Sequence, residues 1–278
     1  MPATWLIEAG VYGDELAPLV AEIRRQGMTA ASISHRVLSQ RGSLIAAGAP
    51  LADHACVVGY GTYPFAREIQ LHRGWSPGAW CTAENLDCAA YYPRFAKHLL
   101  NRRHALLTGV EAIASGERLF DEFGRDDRLF IRPASCNKQF VGRLSDRDSF
   151  ADDLAPARFD PGCMVVVAEP QAIGREWRLV VIDGRVISGS QYAIDGERTI
   201  AAGVPQAVVK FAERVLADVA WAPDPAFMVD VCEAADELRV VELNGFSTSW
   251  LYAADFRAVV AAAADLACRT WRDRGNPA

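Results

Sequence analysis

The sequence lacks the residue spacings that usually hold structural metal ions. Its seven cysteines include no Cys-x-x-Cys pair, and its five histidines show no His-x-x-x-His spacing. Those spacings place ligands around zinc, so their absence argues against a zinc site. Scattered cysteines without a paired pattern are typical of reduced thiols, which predicts a cytoplasmic protein.

The chain also lacks a long hydrophobic run and an excess of basic residues. The start, MPATWLIEAG, has no basic n-region, and the alanine-rich stretch over 258–268 is interrupted by Asp265 and is too short to span a bilayer. The net charge of −6 removes the basic surface on which sequence-independent nucleic-acid binding depends. We therefore expect neither a membrane nor a nucleic acid as a partner.

The first part of the chain predicts a β-α-β unit. An apolar strand over residues 5–9 precedes an amphipathic helix over 14–26, and a second strand follows over 29–33. A further strand and two helices are predicted after it, over residues 55–59, 93–100 and 104–115.

The character of the sequence changes near residue 105, where strands separated by tight turns become dominant. A helix over 206–219 and a terminal helix over 254–272 interrupt these strands. With 278 residues and 51% hydrophobic residues, the chain is long enough for two domains with real cores. We predict an α+β protein, with a preceding α/β domain over 1–105 and a second domain over 106–278.

The most informative stretch is FMVDVCEAADELRVVELNGFSTSWLY, which carries Asp230, Glu242 and Asn244 on two otherwise apolar strands. Strand side chains alternate between faces, so Glu242 and Asn244 share one face. A hairpin turning near residues 235–236 would bring Asp230 directly opposite Glu242. The expected result is a cluster of two carboxylates and an amide on one face.

The same alternation predicts the core side of this hairpin. Val229 and Val231 point away from Asp230, and Val241 and Leu243 share the face opposite to Glu242. An alternative is that the acidic residues simply line a solvated sheet face while the valines fill the core.

The acidic cluster has the donor atoms of a magnesium site. Mg²⁺ takes one or two carboxylates and completes its octahedron with water and nucleotide phosphate oxygens. The strand of Asn244 runs into a loop with Ser247, Thr248 and Ser249. Loops at strand ends present functional groups, which favours a nucleotide enzyme over a solvated face.

Two further segments carry candidate chemistry. In LFIRPASCNKQFVGRL, Arg132 and Lys138 flank a polar loop between two predicted strands and could hold a triphosphate, although ordinary solvated charges are the alternative. In CMVVVAEPQAIGREWRLVVIDGRVISGSQY, a valine-rich strand ends at Glu169, and a hairpin turns at Asp183 and Gly184.

The order of these three segments resembles that of the ATP-grasp superfamily, particularly its carboxylate-amine ligases related to ribosomal-protein glutamate ligases. The resemblance covers about residues 105–270, with a Rossmann-like domain in front. It implies a two-lobed ATP-grasp fold preceded by a small α/β domain, with ATP and Mg²⁺ as cofactors.

The resemblance assigns the charged residues to phosphate and metal. Lys138 and Arg132 match cations that contact nucleotide phosphates, and Arg178 matches the arginine that faces phosphate in an acidic-x-Arg pattern. Lys138 and Arg178 are thereby implied as catalytic groups. Asp230, Glu242 and Asn244 match the metal ligands of a D…E-x-N pattern.

The resemblance also implies where the nucleoside binds. Glu169, Pro170 and Ala172 correspond to the hinge that holds adenine. Pro170 has no N–H and offers only its carbonyl, which leaves Ala172 as the amide donor. Glu176 is implied to meet the ribose or to orient a neighbouring group.

The chain departs from the family pattern in two places. Residues 134–138 contain no glycine, whereas the family often has a glycine-rich flap over the phosphates. Ser190, Gln191 and Tyr192 stand where a basic residue often follows the strand. These departures concern flap closure and substrate activation.

The resemblance implies an ATP-dependent ligase in which a carboxylate attacks the γ-phosphate to form an acylphosphate, which an amine or a thiol then displaces. Small-molecule or peptide carboxylates and amines are the expected substrates, and association of identical chains is compatible with the sequence. Removing one metal carboxylate should cost orders of magnitude in rate without unfolding the protein. A kinase on the same scaffold and a nucleotide-sensing module remain alternatives.

The acceptor site is expected to lie between the preceding domain and the loop over 245–252. Ser247, Thr248 and Ser249 are the favoured candidates, although their hydroxyls could instead cap the terminal helix. Further candidates, for which packing is the alternative, are Tyr60, Arg67, Trp75 and Trp80.

Overall fold

The computed structural model describes residues 2–39, 45–46, 49–72, 74–155, 160 and 163–275. Over these ranges the chain has the ATP-grasp type of architecture implied by the resemblance, with helices packed on three larger sheets and one short two-stranded sheet. Among the described residues, no helix combines the length and the apolar character that a bilayer crossing requires.

The preceding region forms a parallel sheet in the order β2-β1-β5-β6, with β3 and β4 paired separately. Its strands are β1 (Thr4–Glu8), β2 (Thr29–Ile33), β3 (Ile45–Ala46), β4 (Ala49–Pro50), β5 (Cys56–Tyr60) and β6 (Ser76–Gly78). Its helices are α1 (Ala17–Arg25), α2 (His35–Ser39), α3 (Tyr63–Leu71), α4 (Ala83–Leu86) and α5 (Cys88–Phe95). The predicted β-α-β unit is confirmed by the parallel pairing of β1 and β2.

Helix boundaries in this region differ from the prediction at two places. The segment predicted as a helix over 14–26 begins with a 3-10 turn over Gly13–Leu16, and α1 starts after it. The helix predicted over 93–100 starts earlier, because the Asp87 carboxylate accepts a hydrogen bond from the Ala89 N–H and caps α5.

The next region forms an antiparallel sheet in the order β7-β10-β8-β9. Its strands are β7 (His104–Thr108), β8 (Arg128–Pro133), β9 (Arg143–Asp146) and β10 (Met164–Ala168). Its helices are α6 (Gly109–Ala114), α7 (Gly116–Phe123) and α8 (Phe150–Asp153). A core that includes Phe120, Phe123, Ile131 and Val165 joins α7 to this sheet.

The helix predicted over 104–115 is wrong in its first half. Residues His104–Thr108 are β7, which pairs with β10, and α6 begins only at Gly109. Thr108 and Glu111 form a capping box that fixes this start. Pairing with β10 supplies hydrogen bonds that local helical preference does not reveal.

The last region forms a five-stranded antiparallel sheet in the order β13-β12-β11-β14-β15. Its strands are β11 (Arg175–Ile182), β12 (Arg185–Ile194), β13 (Glu197–Ala202), β14 (Ala226–Ala234) and β15 (Glu237–Gly245). Its helices are α9 (Gln206–Val219) and α10 (Phe256–Asp273). The predicted Asp-Gly hairpin is confirmed, since Asp183 and Gly184 have φ values of 50° and 69°, as two-residue hairpin turns require.

A β-bulge corrects the predicted core face of β15. Val231 pairs with Val240, whereas Asp230 pairs with Glu242, so Val241 is an extra residue in the ladder. Val240 and Leu243 pack in the core with Val231, while Val241 packs in a smaller cluster on the other side. The prediction that Val241 and Leu243 share a face is therefore wrong.

Residues before and after residue 105 share hydrophobic cores. One core contains Phe95 and Leu99 from the preceding region together with Val231 and Val240 from the five-stranded sheet. The Leu100 N–H also donates to the Val240 carbonyl over 2.8 Å. The preceding region is thus packed against the sheet that carries the acidic residues.

Candidate active site

The charged residues predicted from the sequence form an ionic cluster, defined by Arg132, Lys138, Arg178, Asp230, Glu242 and Asn244. β8 and the turn after it carry the first two residues, β11 carries Arg178, and β14 and β15 carry the remaining three. The cluster therefore draws on two different sheets. All its members except Lys138 have side chains that are largely or fully buried.

Asp230 and Arg178 form a bidentate pair at the base of the cluster. They are register partners on β14 and β11, so their side chains start on the same face of neighbouring strands. Arg178 Nε donates to Asp230 Oδ1 over 2.8 Å, and Nη2 donates to Oδ2 over 2.6 Å. Only 1% of the Asp230 side chain is exposed, so this pair is shielded from water.

Glu242 receives two cations from the other sheet. Arg132 Nη2 lies 2.7 Å from Glu242 Oε2, and Lys138 Nζ lies 2.8 Å from Oε1. Arg178 Nη2 approaches Oε1 at 3.9 Å. The first two contacts cross from the antiparallel four-stranded sheet to the five-stranded sheet, so Glu242 connects their facing surfaces.

Asn244 completes the acidic side of the cluster. Its Nδ2 donates to Asp230 Oδ2 over 3.2 Å and to Glu242 Oε1 over 2.9 Å. Asp230 also pairs directly opposite Glu242 on the hairpin, with the turn at Ala235 and Asp236. The predicted meeting of the three side chains on one face is confirmed.

Burial and charge act in opposite directions on the two carboxylates. Burial alone would raise the pKa of Glu242, but Lys138, Arg132 and Arg178 together lower it well below its usual range. Burial raises the pKa of Asp230 more than the adjacent Arg178 lowers it. Glu242 is therefore the firmly ionised carboxylate, since three cations surround it.

Glu176 lies beside this cluster and is held by Tyr192. The Tyr192 hydroxyl donates to Glu176 Oε2 over 2.7 Å, and burial raises the pKa of Glu176, with Asp230 and Glu242 adding to the rise. Tyr192 belongs to the segment where the family often has a basic residue. It places a neutral hydrogen-bond donor there instead of a charge.

The donor atoms of the acidic side fit a magnesium ion. Asp230 and Glu242 offer carboxylate oxygens, and Asn244 offers an amide oxygen, which are the hard ligands that Mg²⁺ prefers. The carboxylates are paired with cations, and Asn244 turns its nitrogen toward them. In the part of the chain that the structure describes, no group of three or more His, Cys, Asp or Glu side chains is placed to hold a metal.

The predicted adenine residues lie away from these ionic contacts. Glu169, Pro170 and Ala172 belong to the segment between β10 and β11, which links the two sheets. Glu169 Oε2 lies 3.4 Å from Arg103 Nη1, and Ala172 lines a cavity of about 680 Å³. These contacts do not test adenine binding, so the role of the three residues stays a prediction.

The aromatic residues proposed for the acceptor site are packing residues. Tyr60, Trp75 and Trp80 are at most 4% exposed. The Tyr60 hydroxyl donates to the Ser249 carbonyl and so fastens the loop after β15. Arg67 is exposed on α3.

The loop hydroxyls hold the loop rather than the terminal helix. Ser247 Oγ accepts from the Trp80 N–H over 2.9 Å, and Ser249 Oγ donates to the Gly245 carbonyl over 2.7 Å. The alternative that these hydroxyls cap the terminal helix is wrong, since Asp255 accepts from the N–H groups of Arg257 and Ala258.

Two residues next to the cluster were not assigned from the sequence. The ring of Tyr252 lies 5.3 Å from the Arg178 guanidinium and stacks on Tyr192 at 5.4 Å. The Trp250 carbonyl accepts from Arg178 Nη1 over 3.4 Å. The signal for both was the aromatic run directly after the small polar loop residues, at the end of the strand that carries Glu242.

Solved structures with the same fold cover nearly the whole chain. D-cycloserine synthetase DcsG has a TM-score of 0.65 at 14% identity, covering 95% of this chain and 99% of its own. The RimK domain protein ATP-grasp from Sphaerobacter thermophilus DSM 20745 has a TM-score of 0.57 at 19% identity, covering 97% and 98%. The ATP-grasp ligase PsnB, complexed with a phosphomimetic variant of its minimal precursor, Mg and ADP, has a TM-score of 0.61 at 15% identity, covering 98% and 100%.

Sequence comparison identifies the family. No protein with a curated function matches the chain in sequence. A model of an ATP-grasp domain, the second family of its clade, matches residues 102–262, which is more than half of the chain and includes every member of the ionic cluster. The chain therefore belongs to the ATP-grasp superfamily, as a member of that family.

Proposed function

We propose that the chain is an ATP-dependent ligase that joins a carboxylate to an amine or a thiol through an acylphosphate. The observation that carries the proposal is the convergence of cations from two sheets on the carboxylates of the β14–β15 hairpin, in an ATP-grasp domain. Three cations face two carboxylates there, which favours the arrival of an anion such as a triphosphate.

The acidic side of the cluster would hold Mg²⁺ through oxygens of Asp230, Glu242 and Asn244. When bound, the ion would neutralise charge on the nucleotide phosphates. The same three residues are joined by hydrogen bonds or ion pairs to this chain's own side chains. Loading of the site therefore exchanges one set of partners for another.

The cations of the cluster would bind phosphate oxygens. Lys138 has the most exposed side chain of the three, at 44%, and can leave Glu242 at little cost because water can solvate it. Arg132 starts from the same sheet and would follow the same phosphates. Arg178 stays anchored by Asp230, so we assign it and Lys138 to stabilising charge that develops during transfer.

The proposed reaction has two transfers. A carboxylate oxygen of the first substrate attacks the γ-phosphorus of ATP, and the bond from that phosphorus to ADP breaks. The nitrogen of the amine, or the sulfur of the thiol, then attacks the acyl carbon, which releases inorganic phosphate and a proton. The chain's contribution is to hold the reacting groups together and to balance their charge.

The nucleoside half of ATP would lie along the segment between the sheets. We propose that Glu169, Pro170 and Ala172 contact adenine and that Glu176 contacts the ribose. The solved complex of PsnB with Mg and ADP supports an ADP-forming use of this fold. Tyr192 fixes Glu176 in place through its hydroxyl.

A thermal-shift titration with ATP tests the nucleotide and metal site. The parent should show a saturable rise in melting temperature that requires Mg²⁺, and Glu242→Gln should lose it. Glu237→Gln is the matched control, because Glu237 lies on the same strand with a largely exposed side chain. Equal responses in parent and Glu242→Gln would overturn the proposed site.

Product analysis tests the reaction. A ligase should release ADP and inorganic phosphate only when a carboxylate and an amine or thiol are both present. Accumulation of a stable phosphoester with an alcohol would instead show a kinase, and tight ATP binding without turnover in broad substrate pools would show a nucleotide sensor.

A further inference from the structure

An apolar cavity of about 270 Å³ lies where α1, β13 and the loop after β15 meet. We call it the aromatic cavity, because Tyr12, Trp250 and Tyr252 form part of its wall. Leu16 and Ile200 contribute aliphatic surface. The cavity is near the lower end of the volumes typical of small-molecule sites, which suits one bulky side chain better than a nucleotide.

The aromatic wall is held in a fixed arrangement. The rings of Tyr12 and Trp250 meet edge to face at 5.4 Å, and those of Trp250 and Tyr252 lie 6.2 Å apart. The Tyr12 hydroxyl donates to the Gly61 carbonyl over 2.9 Å, and burial raises the pKa of Tyr12 to about 12. The wall is therefore uncharged at neutral pH and already ordered.

Tyr252 connects the aromatic cavity to the ionic cluster. Its ring lines the cavity and also lies 5.3 Å from the Arg178 guanidinium. Its φ of 48° is unusual for a bulky residue and is maintained only when the surroundings fix it. A group bound in the cavity would thus lie one aromatic ring away from Arg178.

The mouth of the aromatic cavity carries one charge of each sign. Arg198 Nη2 lies 3.4 Å from Glu15 Oε2, and both side chains are more than half exposed. The Arg198 guanidinium also covers the Trp250 ring at 4.9 Å. An exposed pair of this kind opens at little cost, so each partner can turn to a ligand group of opposite charge.

We propose that the aromatic cavity binds the side chain of a bulky apolar amino acid, either free or at the end of a peptide. Arg198 would receive the carboxylate of that residue or Glu15 its ammonium group, while Trp250 and Tyr252 contact the side chain. The role of this ligand as a ligase substrate rests on the proposed function, whereas its binding does not. The site thereby selects one of the two molecules to be joined.

Binding of free amino acids tests the cavity without requiring turnover. Thermal-shift titrations use L-phenylalanine and L-leucine as apolar probes and L-alanine and L-glutamate as comparison probes, with and without Mg²⁺ and a non-hydrolysable ATP analogue. The apolar probes should give a saturable rise in melting temperature at concentrations at least about tenfold below those that the comparison probes need.

A blocking variant on β13 assigns the binding to this cavity. Ile200 lines the cavity and is 44% exposed, so Ile200→Trp fills the space without disturbing a buried core. Thr199→Trp is the matched control, because neighbouring strand residues point to opposite faces. Ile200→Trp should weaken binding of the apolar probes at least about tenfold, and Thr199→Trp should leave it unchanged.

N-acetyl-L-phenylalanine and L-phenylalaninamide separate the two sources of the ligand. Binding of the acetylated probe alone indicates the carboxyl end of a peptide, binding of the amide alone indicates an amino end, and a need for both free groups indicates a free amino acid. Each of these results supports the cavity as a binding site.

Three results would overturn the aromatic cavity as an amino-acid site: no response to any apolar probe in either condition, equal binding of L-alanine, or equal weakening by both tryptophan variants. These results are distinguishable from failure of the proposed function. Mg²⁺-dependent ATP binding without selective amino-acid binding overturns the cavity site alone, and selective amino-acid binding without an ATP response overturns the proposed function alone.

Discussion

The ionic cluster and the aromatic cavity both contact Tyr252, but they hold their charges differently. In the ionic cluster the Asp230 side chain is 1% exposed and that of Arg178 10%. At the cavity mouth, Glu15 and Arg198 are 53% and 56% exposed. The buried charges depend on one another, whereas the exposed charges can be exchanged for ligand groups. Stability is therefore concentrated at the cluster, and freedom to adapt lies at the cavity.

The largest effect is expected from Asp230→Ala, which leaves Arg178 buried without its partner. Truncating one member of a buried ion pair typically costs about 3–5 kcal/mol of unfolding free energy, measurable by urea denaturation. The structure thus modifies the expectation that a cluster carboxylate can be removed without loss of stability. The double variant Arg178→Met/Asp230→Ala should recover part of the loss, and a single-variant cost below about 1 kcal/mol would make the two regions alike.

A smaller loss is expected from Trp250→Ala in the aromatic wall. The substitution removes the ring contacts with Tyr12 and Tyr252, which together contribute about 1–3 kcal/mol. Denaturation in urea without ligands measures this loss. Trp250→Phe should retain most of the stability, and an equal loss in both variants would show that ring contacts are not the cause.

The pH dependence of stability separates two carboxylates of the same region. The lowered pKa of Glu242 stabilises the folded state above its ordinary value of 4.5, and this contribution is lost as the pH falls from 4.5 toward the folded pKa. The raised pKa of Glu176 has the opposite sign, because stability is lost as the pH rises from 4.5 toward the folded pKa.

Unfolding measured against pH should show this difference in Glu242→Gln and Glu176→Gln. Relative to the parent, the first variant should change its stability difference below pH 4.5 and the second above it. One titrating group contributes a slope of at most about 1.4 kcal/mol per pH unit. Changes in the same pH window for both variants would contradict the assigned directions.

The smallest effect is expected from Arg198→Ala at the cavity mouth. The exposed pair with Glu15 should contribute no more than about 1 kcal/mol to the unfolding free energy, and less in high salt. Denaturation at low and high salt measures it. A loss as large as that of Asp230→Ala would show that the mouth is a structural ion pair.

The sequence predicted the parts of the site that depend on strand alternation and turns. The pairing of Asp230 with Glu242 follows from the hairpin turn and was predictable. The contacts of Arg132 and Lys138 with Glu242 were not predictable from spacing, because they depend on how two separate sheets face each other. The family resemblance, rather than any local pattern, placed these cations near phosphate.

The missed features have nonlocal causes. β7 contains residues that could begin a helix, but pairing with β10 decides its conformation. The bulge at Val241 changes the side-chain parity within one strand. The aromatic cavity joins Tyr12, Arg198 and Trp250, which are too far apart in the chain for any periodic pattern to connect them.

The two cations that end on Glu242 have a mechanical consequence. Separating the facing sheets at this point removes Arg132 and Lys138 from the same carboxylate. A half-separated state would keep one contact while leaving the other cation without this partner, so the two contacts favour opening as a single cooperative step. Fluorescent labels placed on the two sheets should then report two distance populations whose proportions change, rather than one distance that shifts gradually.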